Sequence, residues 1–182
     1  MNGMDIINET DINSIPDDND LCVAGRILEY DVVGLLGQRG MSLATAESCT
    51  GGLLAKRLTD VPGASRVFPG GVVAYSAQAK TALLGVDPCL INEKGVVSRE
   101  IAIAMADGAR NRFCADVGIG ITGIAGPDSD GSGIAPGTVF VALTSNTHSF
   151  CRSLMISGDR DRVRGISVSH ALDMARRYLL AL

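Results

Sequence analysis

The chain is 182 residues long with 46% hydrophobic side chains, enough for one domain of ordinary size to bury a core without disulfide or metal staples. Aromatic residues make up 4%, Trp is absent and Gly numbers 22, which points to an α/β domain packed with Ala, Val, Gly and Ile and excludes an aromatic sandwich or a base-stacking nucleic-acid module. The net charge of −4 comes from residues 1–20, where Asp5, Glu9, Asp11, Asp17, Asp18 and Asp20 meet no base; the rest carries sixteen bases against fourteen acids.

Residues 1–20 are also Asn-rich and poor in large apolar side chains, so they read as a flexible acidic tail, with the folded domain spanning 21–182. The tail has no basic n-region or cleavage site, and no apolar run reaches about 18 residues, so signal peptide and membrane span both fail and a cytoplasmic protein is expected. Apolar positions at helical spacing (Leu21, Ala24, Ile27, Leu28, Val32, Leu35, Leu36) predict a helix over 20–38, with Asp20 as N-cap and Gly40 beyond its end. Met41–Ala46 reads as a buried strand and Thr50–Thr59 as a second helix. A β-rich run from Pro69 ends near Tyr75, and a helix follows over Ala77–Leu84. Ser98 is a candidate N-cap for a longer helix over 98–113, with Ile101, Met105 and Ala109 on one face. Strand Val117–Thr122, a polar loop, strand Thr138–Thr144, a hairpin partner over 148–156 and a closing helix Asp159–Leu182 complete the order. This order predicts a single α/β domain whose mixed parallel/antiparallel sheet carries helices on both faces.

The five cysteines (Cys22, Cys49, Cys89, Cys114, Cys151) form no C-x-x-C and only His148 and His170 are available to join them, so no metal is expected and at least four thiols read as buried, reduced hydrophobes. "GIGITG", Gly118–Gly123, matches a dinucleotide fingerprint, but its glycines lie within the strand, no helix follows and no acid appears about 20 residues on. In "TAESCTGG", residues 45–52, Ser48 or Cys49 stands where a helix begins, and the N–H groups of Thr50, Gly51 and Gly52 are placed to stabilise an oxyanion or a phosphate; equally, Ser48 caps and the glycines make a tight turn. In "YSAQAK" Ser76 and Lys80 are four apart, a local serine–lysine pair or a capping serine beside a solvated lysine. Neither histidine has an acid patterned to orient it, which leaves lysine as the better base, provided burial or a nearby cation lowers its pKa.

Taken in order, "TAESCTGG", "GGVVAYSAQAK", "GVVS" and "TGIAGP" resemble the CinA C-terminal domain family, the nicotinamide-nucleotide amidases, over about Leu21 to Leu182. The resemblance implies hydrolysis of the carboxamide of nicotinamide mononucleotide to nicotinic acid mononucleotide and ammonia, in NAD salvage, without metal or other cofactor. It implies Ser48 as nucleophile, Lys80 as general base, Tyr75 as the hydroxyl that shares or orients the proton, and Thr122 with Gly123 lining the pocket. Family members often carry an N-terminal nucleotide-processing domain that this sequence lacks, so it looks like the stand-alone form. The loop 128–136, "DSDGSGIAP", also lacks the Glu-Lys pair often seen in relatives. Arg160 and Arg164, four apart in "GDRDRVRG", are candidates for a substrate phosphate, or else pair with Asp159, Asp161 or the acidic tail. The expected partner is a small-molecule nucleotide, with no nucleic acid or membrane, and a homo-oligomer is expected. Two other readings stay open at this point: a thiol amidase acting through Cys49, and a non-catalytic nucleotide-binding regulator.

Overall fold

The computed structural model describes residues 28–128 and 131–182. The acidic tail, Cys22 and the predicted helix start at Asp20 lie outside the described residues. In chain order the elements are α1 (Leu28–Arg39), β1 (Leu43–Glu47), α2 (Leu53–Thr59), a 3-10 turn (Ala64–Arg66), β2 (Gly70–Val73), α3 (Ala77–Leu84), α4 (Pro88–Lys94), α5 (Arg99–Arg112), β3 (Val117–Gly123), β4 (Thr138–Thr144), β5 (Ser149–Met155) and α6 (Arg160–Ala181).

The five strands form one sheet in the order β2-β1-β3-β4-β5. β1 lies parallel to both β2 and β3, with Ala46 opposite Val72 on one side and Gly120 on the other, while β3-β4 and β4-β5 are antiparallel. Mixed pairing follows from the connections: helices cross over between the parallel strands, whereas the last three strands return directly. Alternation along the strands divides the core into two layers. Leu43, Val117, Ile119 and Ile121 pack with α1, α2 and α6, and Ala44 and Ala46 pack with α3, α4 and α5. The expected mixed sheet with helices on both faces is the observed architecture. Among the described residues no helix is long and apolar enough to cross a membrane.

The "GIGITG" glycines serve packing. A Cβ at Gly118 would lie 2.1 Å from the Ala106 carbonyl oxygen and one at Gly120 2.1 Å from that of Ala102. Both residues belong to α5, so these glycines let α5 lie directly on β3. Ser98 caps α5 by accepting from the Ile101 N–H at 3.3 Å.

Three expectations need correction. The second helix starts at Leu53 rather than Thr50, because Gly51 and Gly52 take positive φ values of 59° and 92° and extend the turn. Helix α4 was not expected; Asp87 caps it through the Cys89 N–H at 2.8 Å and Pro88 opens it, a start signal in seven residues too short to show a period. Of the described cysteines only Cys49 and Cys151 are buried; Cys89 and Cys114 are exposed, at the starts and ends of helices where the chain meets solvent.

Candidate active site

The parallel strands end at one edge, and the segments leaving them meet there. β1 delivers Glu47 and then Ser48, whose N–H still extends the ladder by donating to the Ile121 carbonyl at 3.0 Å. Beside it, the Ala74 N–H donates to the Glu47 carbonyl at 2.8 Å, which fixes the chain leaving β2. Ser76 then caps α3, its hydroxyl accepting from the Ala79 N–H at 3.1 Å, and Lys80 follows one turn on. Ser76 is therefore committed to the cap, and no local Ser76–Lys80 pair is built.

Lys80 reaches across the gap instead. Its Nζ donates to Ser48 Oγ at 3.0 Å and to the Ala74 carbonyl at 2.9 Å. Lys80 is 2% exposed and Ser48 8%. Burial among small apolar side chains disfavours the ammonium and pulls the Lys80 pKa down from 10.5 to about 8, against a small opposing influence from Cys49. A serine hydroxyl thus faces an amine that shares its proton with water near neutral pH, the combination an activated nucleophile needs.

Both groups open onto a cavity of about 260 Å³ lined also by Cys49, Tyr75, Val96, Thr122, Asp128 and Arg160. Thr122 Oγ1 donates to the Val96 carbonyl at 2.8 Å, so the hydroxyl pins the "GVVS" segment as a wall. Gly123 lies at the end of β3, where a Cβ would be 2.6 Å from the Thr138 carbonyl. Across the mouth, Arg160 donates to the Tyr75 hydroxyl at 2.8 Å and to the Gly126 carbonyl at 3.0 Å. Both acceptors are neutral, and among the described residues no carboxylate pairs with Arg160. Tyr75, 60% exposed, lines the same cavity as Ser48 and Lys80, and its hydroxyl accepts from Arg160.

The other expected binding residues fall outside the cavity. Arg164 donates to the Thr50 carbonyl at 2.9 Å and lies 3.5 Å from Asp161, bracing the turn instead of facing the cavity. The Gly51 N–H donates to the Ser48 carbonyl at 3.0 Å. The Gly52, Leu54 and Ala55 N–H groups donate to the Glu47 carboxylate at 3.1, 3.0 and 2.9 Å. The start of α2 is therefore occupied by the protein's own anion, and Gly51 and Gly52 cannot serve an oxyanion or a phosphate. The amide of Cys49, next to Ser48, has no backbone acceptor among the described residues. The Cys49 thiol is pushed up to about 11 by burial, so it is protonated at neutral pH and a poor nucleophile. His148 stacks on Phe150 at 5.7 Å, and neither it nor His170, within α6, lines the cavity.

Sequence reasoning missed Glu47, Ala74, Val96 and Asp128. Glu47 carried a usable signal, an acid five residues before an uncapped glycine helix start; Ala74 and Val96 act through backbone carbonyls that no residue type discloses.

Fold and site together define an α/β domain with a buried serine–lysine contact at the ends of its parallel strands. The chain belongs to the CinA C-terminal domain family, whose model matches residues 26–179. It is 47% identical over 156 residues to a CinA-like protein from Acidobacterium capsulatum, covering 86% of this chain and 38% of that protein. A crystal structure of a competence-damaged protein (CinA) superfamily protein from Escherichia coli superposes with a TM-score of 0.84 at 31% identity, covering 98% of this chain and 99% of that one. A second from Klebsiella pneumoniae gives 0.82 at 31% identity over 85% and 97% of the two chains. The chain spans about 38% of the length of curated relatives such as the Acidobacterium protein.

Proposed function

We propose that the protein is an amidohydrolase that converts nicotinamide mononucleotide to nicotinic acid mononucleotide and ammonia. The observation that carries this reading is the 3.0 Å contact between Lys80 Nζ and Ser48 Oγ, both buried at a cavity. Neutral Lys80 takes the Ser48 proton as Oγ attacks the carboxamide carbon. The tetrahedral oxyanion is held by the Cys49 N–H, the amide that follows a nucleophile on a sharp strand-to-helix turn. Collapse breaks the C–N bond, the Lys80 ammonium returns its proton to the leaving nitrogen, and ammonia departs from a Ser48 ester. Water, deprotonated by the same lysine, then cleaves the ester and restores Ser48.

Substrate choice rests on the family likeness together with Arg160. Its guanidinium stands at the mouth with neutral partners, placed to meet a remote anionic group and orient the carboxamide toward Ser48. The test is ammonia release from nicotinamide mononucleotide, nicotinamide riboside and nicotinamide at equal concentration. A steep loss of kcat/KM on the phosphate-free compounds is expected. Equal efficiency on all three would replace this reading with a general amidase, and binding of the mononucleotide without ammonia release would leave a nucleotide-binding regulator.

A further inference from the structure

We propose that Glu47 is a positioning residue that sets the Ser48 nucleophile against Lys80 by tying both arms of the site to one buried carboxyl-bearing residue. The proposal rests on the serine–lysine reading above and deepens it.

Glu47 is 1% exposed, and a carboxylate buried that deeply is costly unless its oxygens are satisfied. Here they are: Oε2 accepts from Gly52 and Leu54, and Oε1 from Ala55. These donors are the N-cap and first-turn amides of α2, a helix whose N-cap residue Gly52 has no side chain to cap it. Bonds to an ionised acceptor are about twice as strong as neutral ones. The segment they span, Ser48 to Gly52, contains two positive-φ glycines and has little stiffness of its own.

The main chain of the same residue holds the other arm. The Glu47 carbonyl accepts from Ala74, and the Ala74 carbonyl in turn accepts from Lys80 Nζ. Ser48 is bonded to Glu47 covalently and Lys80 through one intermediate residue, so a shift of Glu47 moves the nucleophile relative to its base.

The test uses a reactive fluorophosphonate as a probe of Ser48 alone. Its reaction forms an Oγ–P bond, breaks the P–F bond, releases fluoride and leaves the serine proton on Lys80, so it proceeds whatever the natural amide. In Glu47→Gln the side-chain amide must turn its NH₂ toward one of the three donors, so at least one bond is lost while volume is kept. Phosphonylation of Ser48, followed by intact mass, is expected to slow by about 10- to 100-fold, the scale of a misplacement near 1 Å. Circular dichroism at the assay temperature should match wild type. With the mononucleotide as substrate, kcat per folded molecule should fall with KM within about twofold, and the labelling rate constant in excess probe, unlike the labelled amount, does not depend on how much protein is folded. Should Glu47→Gln fold poorly, Ala55→Pro removes one donor in the first helical turn, where proline is tolerated, and a severalfold slowing is expected. Wild-type labelling rates in folded Glu47→Gln, or in folded Ala55→Pro where Glu47→Gln does not fold, would overturn the proposal and reduce Glu47 to a helix cap. A wild-type protein that labels at Ser48 yet releases no ammonia would instead refute the substrate assignment and leave the role of Glu47 standing.

Discussion

Replacing Lys80 by methionine should abolish hydrolysis and, at pH 7, stabilise the fold. Burial lowers the Lys80 pKa from 10.5 to about 8, and at roughly 1.4 kcal/mol per unit the folded state bears about 3 kcal/mol against the ammonium form. The direction is opposite to that of a lysine gaining an acidic partner. Between pH 8 and 10.5 the unfolded chain binds more protons than the folded one, so the cost is complete below about pH 8 and vanishes above about 10.5. Methionine escapes this cost but gives up the Nζ bonds to Ser48 Oγ and the Ala74 carbonyl, each worth about 1 kcal/mol net. The variant should therefore be about 1 kcal/mol more stable than wild type at pH 7, or about 2–4 °C in Tm, and about 2 kcal/mol less stable near pH 10.5. Urea unfolding of both proteins at the two pH values measures the swing of about 3 kcal/mol, since every other titrating group is common to the pair. A stability difference that stays constant with pH would refute the claim that burial lowers the Lys80 pKa.

How far the sequence disclosed the molecule depended on whether a feature left a periodic or side-chain trace. The helix Ala77–Leu84 and the strand Thr138–Thr144 were legible to the residue, because apolar spacing and flanking turn residues coincide there. Helix α4 was not, since its signal is a single capping aspartate and a proline, without a repeat. Within the site, spacing alone left Ser48 and Cys49 equivalent, and Lys80 divided between a local pair with Ser76 and a solvated position. Only the fold, which carries Lys80 across 32 positions of sequence to Ser48, separates these. The four motifs ordered the candidates through family likeness. The partners that position them are a main-chain carbonyl at Ala74, a main-chain carbonyl at Val96 and a carboxylate facing the opposite side of β1, none of which spacing reveals. The same limit explains the misplacement of the anion-binding role at Gly51 and Gly52: free helix amides are the default at such a turn, but here the Glu47 carboxylate takes that of Gly52 and the Ser48 carbonyl takes that of Gly51.

Further outcomes follow from the same geometry. Ser48→Ala should retain mononucleotide binding in calorimetry while kcat falls by about 10³-fold or more, whereas Cys49→Ala should keep most of its activity, because a thiol held near 11 is not the nucleophile. Gly120→Ala should cost about 2–3 kcal/mol in thermal or urea unfolding, since its Cβ meets the Ala102 carbonyl at 2.1 Å and α5 must lift from β3; a neutral result would show that α5 and β3 are less tightly seated than described. The pH dependence of kcat/KM should report Lys80 in the free enzyme. Only the neutral amine accepts the Ser48 proton, so the rate should climb about tenfold per unit below the pKa and level off above about pH 8, with about a tenth of the maximum at pH 7. Burial is the main cause of the shift, and an uncharged apolar wall is not screened by salt, so the midpoint should hold when ionic strength is raised. A midpoint near 6.5 would point to a histidine instead, and one near 10 would mean that Lys80 is solvated in solution; either result would remove Lys80 from the role of base.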